Sequence, residues 1–341
     1  MPVSYKSKSI EYWKKYPYDI GKLHFPKDEG KHDYKHEWWY INLHLTNLST
    51  GKKYDVMVSY FPKQEDLDIP LRLFMITDEE NKRYVPYKKF DFGAVRISRE
   101  KQDIIFRRFL RIDRWHQLPQ HAFQYHLKVN SGRYGINVLM CSKKPPLPVN
   151  GDGYVQLGSN GYSYYYSLTR LNVAGFLKID GEKLPVVGIG WIDHQFGDFY
   201  FSKGFQGYEW FSIQLDNNVD IICWYLFEDG KVVNPVMTYM LADNSVEVPE
   251  NFTIEPLDYW LSPRLKKYAS KWRIKEPNKK LDIIVKTVIP NQLAYIPYPY
   301  TKKPLEIYLA GLYEGSTIIE GSFEGKHVKG VGYVELTHQR N

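Results

Sequence analysis

Cysteine is almost missing from this chain. Cys141 and Cys223 are the only two in 341 residues, far apart and each in an apolar, strand-like setting, which argues against a disulfide framework and fits a reducing compartment. No run of 18 apolar residues occurs, so a membrane-spanning helix is not expected. The opening MPVSYKSKSIEYWKKYPYD has no apolar signal-peptide core, and a cytoplasmic location is the expectation. Motif absences narrow the chemistry further. No G-x-G-x-x-G opens a helix, no G-x-S-x-G elbow is present, and no cysteine has a plausible histidine partner, which argues against dinucleotide binding and against hydrolysis through a covalent intermediate. The formal charge of +7 is scattered, with short clusters such as Lys266-Lys267 and Lys302-Lys303. Without a basic stripe or an RNP-like motif, nucleic acid is not an expected partner; peripheral contact with anionic lipid is compatible with this charge.

Helix-favouring alanine is scarce, whereas aromatics make up 16% of the chain, with 29 Tyr and 9 Trp. Flat rings suit pleated surfaces. Short aromatic and β-branched runs, separated by Gly, Asn, Asp or Pro, cover residues 123–129, 134–140, 162–169, 171–179, 283–288, 305–313 and 330–336. Spacings of about 8 to 12 residues predict antiparallel sandwiches or barrels. Ser262-Pro263 before RLKKYASKW is the best helix candidate, with an N-cap and a first-turn proline. The Pro-rich stretch 142–150 reads as a long loop.

HEWWYINLHL, residues 36–45, is unusual for a core strand. If extended, Trp39, Ile41, Leu43 and Leu45 share one face, and Trp38, Tyr40, Asn42 and His44 the other. The second face combines large rings with polar tips, as a ligand-cavity wall does. A solvent-facing side of a barrel strand is the plainer alternative. The segment recurs: Glu37 to Leu43 matches Glu209 to Leu215 as Glu, Trp, aromatic, free, Ile, carboxamide, Leu, and each copy turns into an Asp-led apolar strand, from Asp55 and from Asp220. An offset of 172 residues is too long for a solenoid, so duplication of a whole domain is expected, with domains at 1–203 and 204–341.

GIGWIDHQFGDF, from Gly188 to Phe199, is the candidate chemical centre. Asp193 and His194 lie between Trp191 and Phe196, and aromatic walls can raise a carboxyl's pKa until it donates a proton near neutrality. The alternative is a buried Asp193–His194 knot that fixes the domain junction. No metal site is expected: His32, His36 and His44 share parity, but eight residues of strand span about 26 Å, beyond one ion.

HEWWY, the run GYSYYYSLTRLNVAGFLKIDG, GWIDHQFGDF, GYEWFSIQLDNNVDI, YWLSP followed by KW, and YEG with GVGYVELT, in this order, closely resemble the carotenoid 1,2-hydratase (CrtC) and AttH-like family across roughly residues 33–337. The resemblance implies an all-β fold of two consecutive lipocalin-like antiparallel β-barrel domains with few short helices. It also implies a long apolar polyene or isoprenoid ligand, no cofactor, and a hydratase that adds water to a C=C bond by acid catalysis. On this match Asp193 becomes the acid, with His194, Trp191 and Tyr166 beside it, and Trp38, Tyr40, His44, Tyr164, Tyr165 and Trp210 as substrate-binding groups. Which of Tyr164, Tyr165 and Tyr166 faces the cavity stays open. The same resemblance allows a Diels-Alderase-type cyclase, and a non-catalytic polyene carrier is a third reading. Phe196 and His338 stand where the family often has Trp and Gly, which puts the substrate in doubt and leaves the fold intact.

Overall fold

A computed structural model describes residues 12–62, 70–90, 95–108, 111–119, 121–158, 161–199, 204–298 and 308–338. In chain order the strands are β1 Tyr18–Ile20, β2 Leu23–Phe25, β3 His36–Asn47, β4 Lys53–Phe61, β5 Leu71–Asp78, β6 Arg83–Phe90, β7 Val95–Ile97, β8 Asp103–Arg108 and β9 Arg111–Gln117. They continue as β10 Gln124–Ser131, β11 Tyr134–Ser142, β12 Leu147–Pro148, β13 Tyr154–Gln156, β14 Tyr162–Ile179 and β15 Glu182–Asp198. The second set is β16 Phe205–Leu215, β17 Asp220–Glu228, β18 Lys231–Met240, β19 Val246–Glu247, β20 Thr253–Leu261, β21 Lys267–Glu276, β22 Leu281–Thr287, β23 Leu293–Tyr298, β24 Tyr308–Phe323 and β25 Lys326–Leu336. Helical structure among the described residues is limited to single 3₁₀ turns at Tyr12–Lys14, Lys27–Glu29 and Val149–Gly151. None is long or apolar enough to cross a membrane.

Apart from the short β1–β2 pair, the strands form two antiparallel lipocalin-like sheets that share one plan. The path β6-β5-β4-β3-β15-β14-β11-β10-β9 in the first is matched by β19-β18-β17-β16-β25-β24-β22-β21-β20 in the second. Each copy of the repeated segment, β3 or β16, lies between its hairpin partner and the last strand of its sheet. The expected boundary after residue 203 falls outside the described residues; strands of the first sheet end at Asp198 and those of the second begin at Phe205.

Each sheet curls around its own core. Trp39, Ile41, Leu43, Leu168, Ile192 and Phe196 belong to the first core, and Phe211, Ile213, Leu215, Trp272, Val334 and Leu336 to the second. A third cluster lies between the sheets and includes Tyr40, Met57, Tyr165, Trp191, Trp210, Trp224 and Tyr333. Successive side chains of a strand point to opposite faces, so β3, β14, β15, β16 and β25 each give one face to a barrel core and the other to this junction. HEWWYINLHL is therefore buried on both sides, and its polar face looks toward the second sheet.

Polar clamps tie the junction together. Buried Asp220 accepts from Arg170 Nε at 3.0 Å and Thr169 Oγ1 at 2.9 Å, and pairs with Lys144 Nζ at 3.0 Å. Lys144 belongs to the Pro-rich stretch, which crosses to the second sheet through it and contains β12 and a 3₁₀ turn. Asn42 donates to Ser212 at 3.0 Å and Thr77 to Gln292 at 2.9 Å.

Two local expectations are corrected. RLKKYASKW is no helix: Ser262 opens a turn, its Oγ accepting the Lys266 N–H, and Leu265 adopts φ 59°. The following residues form β21, because Tyr268, Trp272 and Ile274 meet the second core at an even spacing that a sheet satisfies and a helix does not. Residues 162–169 and 171–179 make one long strand, β14, with an irregularity between Leu168 and Leu171. Both cysteines are free, as expected.

Candidate active site between the two sheets

Trp191 and Asp193 project from β15 into the junction. Asp193 is 2% exposed. Its Oδ1 accepts from the Ser167 hydroxyl of its cross-strand partner on β14, and from Trp191 Nε1 at 2.8 Å. Burial pushes the Asp193 carboxyl up to about 7; bonds from Ser167, Trp191 and Tyr165 pull it back, and the negative field of Glu335 adds to the rise. A buried carboxyl at that level is divided between its acid and its base at neutral pH.

The neighbouring rings are held by hydrogen bonds across the junction. Trp210 Nε1 donates to the Tyr165 hydroxyl at 3.0 Å, Tyr165 stacks on Trp224, and Tyr40 packs edge-on to Trp210 at 5.5 Å between centroids. The Tyr40 hydroxyl donates to Glu314 Oε2 at 3.0 Å. Glu314, buried, and Glu335, half-buried, face one another in the β24–β25 register, and Tyr208 donates to Glu335. Burial raises both, and the proximity of Glu335 drives Glu314 well above the carboxylate range. Two carboxyls so placed do not readily ionise together. The first sheet thus presents a titratable acid, the second a coupled carboxyl pair, and indole and phenol rings fill the space between.

Of the residues expected from the sequence, Trp191, Tyr165, Tyr40 and Trp210 converge with Asp193. Trp38 sits on the same face of β3, half-buried, edge-on to Phe199 at 5.9 Å. His44 lies farther along that face, bonded to Asp55 Oδ1 at 2.7 Å. His194, Tyr166 and Tyr164 require correction. Their parity turns them into the first barrel, where Tyr166 and Tyr164 pack with its core and His194 stands 5.5 Å from Tyr166 between ring centroids. His194 therefore orients neither Asp193 nor a water beside it. Glu314, Glu335, Tyr208 and Ser167 were missed. A signal existed for Glu335: Gly330-Val-Gly-Tyr-Val-Glu335 repeats the pattern of Gly188-Ile-Gly-Trp-Ile-Asp193.

The opposite face of β15 holds a second polar group. His32 lies in the connection before β3, and folds back so that its Nδ1 is 3.0 Å from Glu37 Oε1; His194 Nε2 is also 3.0 Å from that oxygen. The expectation of no ligand set assumed that His32 continued the strand, whereas β3 starts at His36. Burial alone would raise Glu37, but the two imidazoles hold it below its ordinary value; burial lowers His194 against the pull of Glu37.

A sequence model described as AttH-like matches residues 17–339. No curated protein matches the chain in sequence. Among solved structures, an AttH protein from Nitrosomonas europaea superposes with a TM-score of 0.77 at 19% identity, covering 92% of this chain and 96% of that one. Kievitone hydratase from Nectria haematococca gives 0.71 at 16% identity, covering 95% and 97%. CghA with Sch210972 gives 0.51 at 9% identity, covering 98% of each. At these identities the likeness is one of fold.

Proposed function

The chain belongs to the AttH-like family, and on that premise we propose that it is a hydratase whose junction adds water across a C=C bond of a long apolar isoprenoid or polyene. The observation that carries this reading is Asp193, a dry carboxyl poised near neutrality and walled by indole and phenol rings. An unactivated alkene is a weak base, so a positioned acid is the least equipment that its hydration requires. In the proposed step Asp193 gives its proton to the less substituted carbon, the π pair forms the new C–H bond, and the positive charge falls on the more substituted carbon. Trp191, Tyr165 and Trp210 face that charge, each cation–π contact contributing about 0.5–2 kcal/mol. Water then bonds to the cation, and its surplus proton passes to the Glu335–Glu314 pair on the opposite wall; solvent exchange restores both acids. The burial of the site limits stray bases that would return the cation to alkene.

Kievitone hydratase, which shares the fold, is a hydratase by name, and this supports the reaction class here. The hydrogen-bond donors of Tyr40, Tyr165 and Trp210 would equally suit a cyclase that folds a polyene, and such a cyclase has no obligatory acid. The test is incubation with an acyclic isoprenoid in ¹⁸O-water. The hydratase reading expects a labelled tertiary alcohol from the wild type and almost none from Asp193→Asn. Measurable binding without label would favour a carrier, and near-normal turnover by Asp193→Asn would favour the cyclase.

A further inference from the structure

We propose that His32, Glu37 and His194 bind one divalent transition-metal ion of the zinc class, inside the first barrel on the face of β15 opposite Asp193. One ligand atom from each residue lies within 4.8 Å of the others, close enough to share a small ion. Two imidazoles and a carboxylate suit zinc, cobalt or nickel, whereas magnesium and calcium favour all-oxygen sets.

The arrangement around the ligand atoms carries the proposal. Each ring has its second nitrogen tied to Asp28: His194 Nδ1 meets the backbone carbonyl of Asp28 at 2.8 Å, and His32 Nε2 meets Asp28 Oδ1 at 3.3 Å. A carbonyl only accepts, so His194 must donate from Nδ1, and a neutral ring then turns the Nε2 lone pair toward Glu37 Oε1. Two lone pairs at 3.0 Å repel unless a cation lies between them. This is the outer-shell pattern of metal-bound histidines, one nitrogen on the ion and the other N–H on a carbonyl or carboxylate. Asp28 is fixed in turn by the His24 N–H at 2.7 Å. The ring planes are set by stacking, His194 on Trp39 at 4.4 Å and His32 on Phe196 at 3.6 Å. Glu37 also accepts the His32 backbone N–H on both oxygens at 3.1 Å, which aims the carboxylate at the two rings. His194 and Glu37 are buried while His32 keeps partial exposure. An ion could thus enter past His32, with water as its fourth ligand.

The competing explanation is a hydrogen-bonded network in which a proton takes the ion's place. Calorimetric titration of the chelator-treated full chain with Zn²⁺ separates the two, with Co²⁺ as an optical surrogate. The metal reading expects one Zn²⁺ per chain and visible d–d bands from Co²⁺. His32 lies outside the strands, so His32→Ala should keep the wild-type circular dichroism and lose affinity by at least about 100-fold; Asp28→Asn should weaken it by about 10 to 100-fold. A folded wild type that takes up no Zn²⁺ and shows no Co²⁺ bands would overturn the proposal, as would unchanged affinity in His32→Ala. Should His32→Ala fail to fold, the wild-type Co²⁺ spectrum still decides.

Discussion

Glu37 and Glu209 occupy matching places on β3 and β16, each inside its own barrel, yet their surroundings differ. Glu37 meets two imidazoles and a backbone N–H, whereas Glu209 accepts the indole N–H of Trp272 at 3.2 Å. The contrast extends to the neighbouring strand, where β15 carries Asp193 and His194 on opposite faces and β25 carries Glu335 and Leu336. The duplicated plan keeps a carboxyl facing the junction in both sheets. Among the described residues, only the first barrel adds histidines behind it. One scaffold, repeated, thus supports an unequal division of labour, with the second sheet supplying the carboxyl pair that faces the Asp193 acid.

Substitutions can break this comparison. On the proposed mechanism Asp193→Asn should lower turnover by about 10²–10⁴-fold, the usual worth of general acid catalysis, with unchanged circular dichroism; Ser167→Ala, which removes one donor to the carboxyl, should act much more weakly. Asp220→Ala strands buried Lys144 and half-buried Arg170 and should cost about 3–5 kcal/mol in a denaturant titration. Glu37→Gln should cost about 1.5–3 kcal/mol, as loss of a charged acceptor does, while Glu209→Gln should cost about 0.5–1.5 kcal/mol. Equal losses at the two glutamates would remove the asymmetry between the barrels.

A further expected effect is in the pH dependence of stability. Asp193 has a folded pKa of about 7, above its unfolded value, so the fold binds the extra proton and stability falls as pH rises. Its contribution is complete below about pH 4 and is lost as pH climbs through about 7. Denaturant midpoints of wild type and Asp193→Asn should therefore converge toward acid and separate toward neutral pH.

Much of the fold was legible because strand parity and the internal repeat are local patterns. The two faces of HEWWYINLHL and the match of Glu37–Leu43 with Glu209–Leu215 follow from a period of two, and the strand order repeats accordingly. Asp193 was legible through its aromatic and glycine neighbours. The same parity already separated Asp193 from His194, and Tyr165 from Tyr164 and Tyr166; treating adjacent residues as partners overlooked it. Glu335 was marked only by the repeat of the Gly188–Asp193 pattern, and Glu314 was hidden: more than a hundred residues separate both from Asp193, and only the packing of one sheet on the other brings them near. His32 was hidden for a different reason: a turn, invisible in the spacing, folds it back over the strand.

The most direct test of the central claim, that Asp193 delivers the proton, is the pH profile of kcat/KM for a turned-over isoprenoid. The account predicts a plateau below about pH 7 and a fall approaching tenfold per pH unit above it, a limb that disappears in the residual activity of Asp193→Asn. A wild-type profile that stays flat from about pH 5 to 9 would contradict it.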